Sequence, residues 1–246
     1  MDGFIIAAVV AAFFVGGIVK GLVGIGLPLT SIALMTFFLD LRIAVPLLTV
    51  PILVTNVIQA ARGGHFRDLL RQFWLMLTTA AVGVWIGAAL LYRVELSYLL
   101  ITLGVVVVGY SLMNLFAVRL SISDKSVPIV SPVVGLLSGV LGGTTGSIGV
   151  PVVIYYQALG MLKDKFVQAV GINFFFTGLV LAMALTYEKG LNAETLPLSA
   201  LVVIPAYLGM YAGQWVRDRV SEDRFRTYLW IFLVLVGLNL IRKGLF

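Results

Sequence analysis

The chain has 246 residues, 61% of them hydrophobic and only 11% charged, with a mean hydropathy of +1.08. Soluble domains carry about a quarter charged residues, so this chain lacks the polar surface to face water and its solvent is lipid, which excludes a cytosolic enzyme, a nucleic-acid module and a disordered scaffold. The net charge of +6 then reports membrane orientation rather than a nucleic-acid partner. With no cysteine and one histidine, His65, neither disulfides nor a thiolate or His-based metal cage is expected.

Apolar runs follow one another along the chain, and about 20 residues are needed to span the hydrocarbon. The first five lie near Phe4–Val19, Leu29–Leu39, Ile43–Ala61, Phe73–Tyr92 and Tyr98–Val118. The polar connector Leu120–Val127 bisects the chain. Five more runs follow near Ile129–Leu141, Val152–Leu162, Phe166–Tyr187, Leu196–Val216 and Tyr228–Ile241. Lipid-facing backbone must satisfy its own hydrogen bonds, and these runs lack the two-residue alternation of barrel strands, so they are helices. The expected architecture is an all-α polytopic membrane protein.

The two halves repeat. Gly17-Ile-Val-Lys-Gly-Leu-Val-Gly24-Ile-Gly-Leu-Pro28 aligns with Gly139-Val-Leu-Gly-Gly-Thr-Thr-Gly146-Ser-Ile-Gly-Val-Pro151 once Ser147 is treated as an insertion, and six of the twelve pairs are identical. The division is a first membrane repeat over 1–119, a connector over 120–128 and a second repeat over 129–246. If each half crosses an odd number of times, eleven Lys and Arg fall on the cytoplasmic side and five outside; four crossings per half split them eight against eight. The positive-inside rule therefore predicts inverted-topology repeats, with loops 62–71, 119–127 and 217–226 in the cytoplasm.

Neither Phe4–Leu39 nor Ile129–Leu162 can be one straight span. At about 1.5 Å per residue the first would reach about 54 Å, against a hydrocarbon core of roughly 30 Å. Glycine permits positive φ and close backbone approach, and Pro28 and Pro151 suit the first turn of a new helix. Each half is expected to open with a Gly/Pro-broken hairpin whose short second helix begins near Gly26 or Gly149. A helix starting inside the membrane offers free N–H groups and a positive dipole end, tolerated there only in protein or a cavity.

Two such N-termini, converging near the midplane, would make an anion site of backbone. The candidate binding residues are Gly24, Gly26, Thr30 and Ser31 in the first half and Thr144, Thr145, Ser147 and Gly149 in the second. The alternative is that these glycines merely allow close helix crossing, but the Gly-to-Pro spacing occurs twice, which favours the site. Lys20 would either neutralise the anion or snorkel to an interface. Asn56, Gln59, Asn173 and Thr177 would line a pathway or bond between helices. Tyr155 and Tyr156 would wall the cavity or pack, and His65 belongs to a solvated loop. All eleven carboxylates fall at or near expected loops, leaving none for coupled proton or sodium chemistry. No Walker motif is present, so the chain itself does not use ATP, and no cofactor is expected.

Two glycine-rich breaks ending in Pro28 and Pro151, one per half of an apolar chain, resemble the TauE/SafE sulfite exporter family. The resemblance covers essentially the whole chain. It implies a non-enzymatic permease of a bacterial-type inner membrane, with about eight spans, exporting sulfite or organosulfonates. Its partners would be that small anion and the lipid bilayer, with no nucleic acid, and it is compatible with a homo-oligomer. Two other classes compete: a non-transporting subunit of a membrane complex, and an intramembrane serine protease built on Ser147. The protease would need His65, which lies in a predicted loop 82 residues earlier.

Overall fold

The computed structural model describes residues 3–118, 120–217 and 222–246. The described residues form helices and no strand. In chain order these are α1 (Gly3–Val23), α2 (Leu27–Met35), α3 (Leu41–Ala61), α4 (Phe66–Arg93), α5 (Leu96–Leu115), α6 (Val127–Thr145), α7 (Val150–Ala158), α8 (Lys163–Tyr187), α9 (Thr195–Leu201), α10 (Val203–Arg217) and α11 (Glu222–Leu245). Eight helical stretches are long and apolar enough to cross a membrane: α1, α3, α4, α5, α6, α8, the α9–α10 run and α11. The exceptions are α2 and α7, each nine residues and about 13 Å long, too short to cross. The chain is a multi-pass membrane protein.

Two boundaries differ from expectation. The glycine-rich stretches are mostly helical: α1 continues through Gly17 and Gly21 to Val23, and α6 through Gly139 and Gly143 to Thr145. In lipid the alternative to a helical hydrogen bond is an unsatisfied amide, so glycine's modest penalty is outweighed. The breaks are confined to 24–26 and 146–149. Residues 62–71 are not one loop, because α4 already begins at Phe66 and bends at Phe73 (φ −115°, ψ 16°). The short helices begin at Leu27 and Val150, next to Gly26 and Gly149 as expected, with Pro28 and Pro151 in the first turn. Of the expected cytoplasmic loops, Arg119 and residues 218–221 lie outside the described residues.

The chain packs as two compact units, and each draws on both sequence halves. The first comprises Met1–Pro51, Val94–Val118 and Ala193–Phe246. Within it α2 folds back along α1: the Leu27 carbonyl lies against Gly16, and the Ser31 hydroxyl donates to the Ala12 carbonyl at 3.2 Å. Leu27 is thus level with a residue well inside α1. Helices α1 and α10 run parallel in backbone contact. A Cβ at Gly17 or Gly21 would be driven into the carbonyl of Ala206 or Met210, and one at Gly209 or Gly213 into that of Phe14 or Ile18. Helices α5 and α11 run antiparallel, with Gly104 against Gly237 and Gly244 against Ser97. Arg42 donates to the Val94 carbonyl at 3.0 Å and Lys243 to that of Thr36 at 3.1 Å. These bonds gather the starts of α3 and α5 and the ends of α2 and α11 at one end of the unit.

The second unit comprises Ile52–Arg93 and Arg119–Asn192. Its spine is the parallel pair α4–α6, where Gly83 faces Gly139, Gly87 faces Gly143, and Gly135 lies against Met76 and Thr79. Short helix α7 folds back along α6, with Ser138 donating to the Ile148 carbonyl and Ser131 bonded to the Tyr155 hydroxyl at 2.7 Å. Helix α8 runs antiparallel to α3, seating Gly171 on Gln59–Ala60 and Gly178 on Ile52. Gln168 of α8 ties down the α3–α4 turn, donating to the Ala60 carbonyl at 3.0 Å and accepting from the His65 amide at 2.8 Å.

Lipid chains are as apolar as leucine, so burial alone does not hold these helices together. Small residues let the backbones meet, and dispersion and Cα–H···O contacts do the rest. A Gly139→Ala substitution therefore forces α4 and α6 apart and should cost about 1–3 kcal/mol, the range of overpacked sites. Gly109→Ala, where an added Cβ meets nothing within 4 Å, should be neutral. Thermal unfolding of the two variants in the same detergent measures the difference.

Candidate functional site

Each unit holds one broken hairpin, and the local chemistry of the two breaks differs. In the first unit the chain leaves α1 through Gly24 (φ 85°) and enters α2 through Gly26 (φ 107°). Gly26 is the N-cap, in a left-handed conformation that costs an L side chain about 1–2 kcal/mol. No side chain caps α2, and Pro28 in its first turn removes one N–H, so the remaining first-turn amides have no side-chain acceptor. The Thr30 hydroxyl, one turn into α2, is buried and makes no hydrogen bond. Ser31 is committed to the hairpin itself through Ala12. Gly24 borders open space, because an added Cβ there meets nothing within 4 Å.

Lys20 lies in the last turn of α1, 3% exposed, and is the one charged side chain buried among the described residues. The Lys20 side chain thus lies one helical turn before the break.

In the second unit α6 ends on Gly146 (φ 72°), and α7 begins after the N-cap Gly149, again with no side-chain cap and with Pro151 in the first turn. Gly149 has an ordinary helical φ of −86°. Glycine is required there for space, since a Cβ would enter the ring of Phe174. Thr144 and Thr145 bond back to the carbonyls of Val140 and Leu141 at 2.8 and 2.7 Å, and Ser147 pairs with the Thr145 hydroxyl. These hydroxyls close the last turn of α6 and hold the break in shape.

Asn173 stands out. Its side chain is fully buried, and neither its amide nitrogen nor its carbonyl oxygen has a hydrogen-bond partner. A buried unpaired amide costs about 1–3 kcal/mol per group, so native proteins rarely keep one without a use. It adjoins Phe174, which faces Gly149, and the α3–α8 register places Asn56 level with it. Asn56 donates to the Ile52 carbonyl at 2.7 Å, and Thr177 to that of Asn173 at 2.6 Å. Gln59 meets Gly171 at the α3–α8 contact. Tyr155 and Tyr156 are buried against Phe73, with ring centroids 6.2 and 5.0 Å away.

Sequence reasoning missed Ser138, Phe174 and Gln168. The first two sit beside glycines whose role becomes visible only when the facing helix is known. Of the residues it named, the first unit contains Lys20, Gly24, Gly26, Thr30 and Ser31. The second contains Asn56, Thr144, Thr145, Ser147, Gly149 and Asn173.

The family description Sulfite exporter TauE/SafE matches residues 8–240. The chain belongs to this family. It is accordingly a membrane transporter and not an enzyme. The Ser147 hydroxyl pairs with Thr145, and His65 is an exposed residue of the α3–α4 turn. Neither the curated proteins nor the solved structures compared with the chain gave a match.

The two glycines respond differently to substitution. Gly149→Ala collides with Phe174, so Phe174→Leu should cost less stability beside it than alone, a coupling of about 0.5–3 kcal/mol in a double-mutant cycle. Gly26→Ala meets Val19 but is strained chiefly by its positive φ, so Val19→Ala should recover little. Unfolding midpoints of the single and double variants distinguish steric from backbone strain.

Proposed function

We propose that this transporter exports small sulfur-containing oxyanions, sulfite or organosulfonates, across a bacterial-type inner membrane. In this reading the uncapped first turns of α2 and α7 are its anion-binding elements. The observation that carries it is the repeated short helix that starts on a glycine N-cap inside the protein, without a side-chain acceptor for its first amides. Such an end favours an anion by about 0.3–1 kcal/mol at a surface and up to about 2 where partly buried. Lys20 adds a buried positive charge in one unit, and the unpaired Asn173 amide adds donors in the other.

The repeats are inverted in this proposal. Support comes from helix direction: α3 and α8 are the third elements of their halves and run antiparallel, as do the last elements, α5 and α11. The charge distribution of eleven against five agrees. Cysteines replacing Glu95, before α5, and Thr227, early in α11, should react with an impermeant thiol reagent from opposite sides of the membrane. Parallel repeats would place them on the same side.

No described carboxylate is buried, so the path offers no acid to carry a proton or bind sodium. Efflux is driven by the membrane potential instead. Moving a unit charge through 100 mV is worth about 2.3 kcal/mol, a nearly fiftyfold gradient for a monoanion. In proteoliposomes loaded with sulfite, a potassium diffusion potential, negative inside, should accelerate exit. Strict dependence on a proton or sodium gradient, with the potential clamped at zero, would refute the uncoupled mechanism. A bulky residue at Gly26 or Gly149 should abolish flux in protein that still folds, and unchanged sulfite binding by such a variant would refute the cradle.

A further inference from the structure

The first two turns of α4 are not part of a membrane span. Helix α4 has 28 residues, about 42 Å at 1.5 Å per residue, against a hydrocarbon core of roughly 30 Å. The helix is interrupted once, at Phe73, whose backbone is non-helical. From Trp74 to Arg93 the remainder is about 30 Å, a complete span by itself. The segment before the bend is therefore surplus to the crossing. The bend is also held in place, because the Phe73 ring packs edge-on against Tyr155 and Tyr156.

That surplus segment is two-faced. Leu69 is buried beneath it, whereas Arg67, Asp68, Arg71 and Gln72 are exposed. Phe66 and Trp74 flank it as exposed aromatics, Trp74 being 56% exposed. Gln168 bonds both sides of the α3–α4 turn and so brings the start of α8, with Lys163 and Lys165, to the same end of the unit as Arg62. Five cations thus gather with two carboxylates, Asp68 and Asp164, and none of the seven forms an ion pair. A protein that pairs Arg93 with Glu188 elsewhere leaves this cluster with an excess of three positive charges, five cations against two carboxylates.

We infer that this cluster binds the headgroups of anionic phospholipids, with Arg67 and Arg71 of the pre-bend segment as its principal contacts and Phe66 and Trp74 set at the headgroup level. The chemistry is charge complementarity on an amphipathic helix. Guanidinium groups bond phosphate oxygens in pairs, and aromatic rings anchor at the interface. The inference is independent of which anion is transported, since it requires only that α4 crosses a bilayer.

Trp74 supplies the probe. Full-length protein retaining only this tryptophan (Trp85→Phe, Trp215→Phe, Trp230→Phe) is reconstituted into phosphatidylcholine bilayers containing brominated phosphatidylglycerol or brominated phosphatidylcholine. Brominated phosphatidylglycerol should quench about fivefold more effectively per molecule, the effect of one basic residue at an anionic surface. The preference should fall to near parity in Arg67→Gln/Arg71→Gln. These side chains are exposed, so the double variant should fold, and an unchanged unfolding midpoint would verify it. A protein retaining only Trp85, eleven residues further along α4, should show no preference. Equal quenching by the two lipids, a preference that survives the double substitution, or the same preference at Trp85 would each overturn the inference. So would full displacement by inorganic phosphate at constant ionic strength, which would assign the cluster to soluble phosphate.

Discussion

Every backbone amide that lipid surrounds has to find its partner inside the protein, and the structure depends on how that obligation is met at two points. Long helices meet it internally. A helix that starts partway through the protein does not, because its first N–H groups face away from its own carbonyls. Helices α2 and α7 both start this way, beside residues well inside α1 and α6, and neither receives a side-chain cap. The cost of leaving such groups in hydrocarbon is several kcal/mol each. Irregular backbone at that depth is tolerated only where it is buried in protein or lines a cavity.

The rest of the architecture makes those two starts achievable. Each short helix must fold back tightly on its predecessor, so Gly16 lies against Leu27, and Ser138 bonds the Ile148 carbonyl. The predecessor must itself be held, and glycines on the other faces of α1 and α6 do this. Gly17 and Gly21 seat α1 on α10, and Gly139 and Gly143 seat α6 on α4. The glycine clusters thus serve two demands at once, helix crossing through most of their length and backbone freedom only at their ends. The first helix of each half pairs with the third crossing of the other, so the spatial units interleave the sequence halves rather than follow them.

Polar side chains at depth divide in the same way. Ser31, Thr144, Thr145 and Gln168 are spent on structure, bonding carbonyls that would otherwise be under-satisfied or closing a turn. Thr30 and Asn173 have no such duty. Lys20 is the sole charged-type side chain buried among the described residues, in the last turn of α1 before the first break.

Much of this was legible in the chain itself. Composition specified the solvent, the length of the apolar runs located the crossings, and the spacing of Gly26 to Pro28 and Gly149 to Pro151 marked where the short helices begin. These are local properties, decided by hydrophobicity and by the steric limits of glycine and proline. What each glycine does is not local. Gly26 is needed for its positive φ, yet its aligned counterpart Gly149 has an ordinary φ and is needed because Phe174 fills the space beside it. The bend at Phe73 likewise lies in a sequence of good helix formers, and only its packing against Tyr155 and Tyr156 distinguishes it. Which of Ser31, Thr144 and Asn173 keeps a free polar group was open for the same reason. A hydrogen bond depends on the atom that tertiary packing places opposite, and no spacing along one chain specifies that.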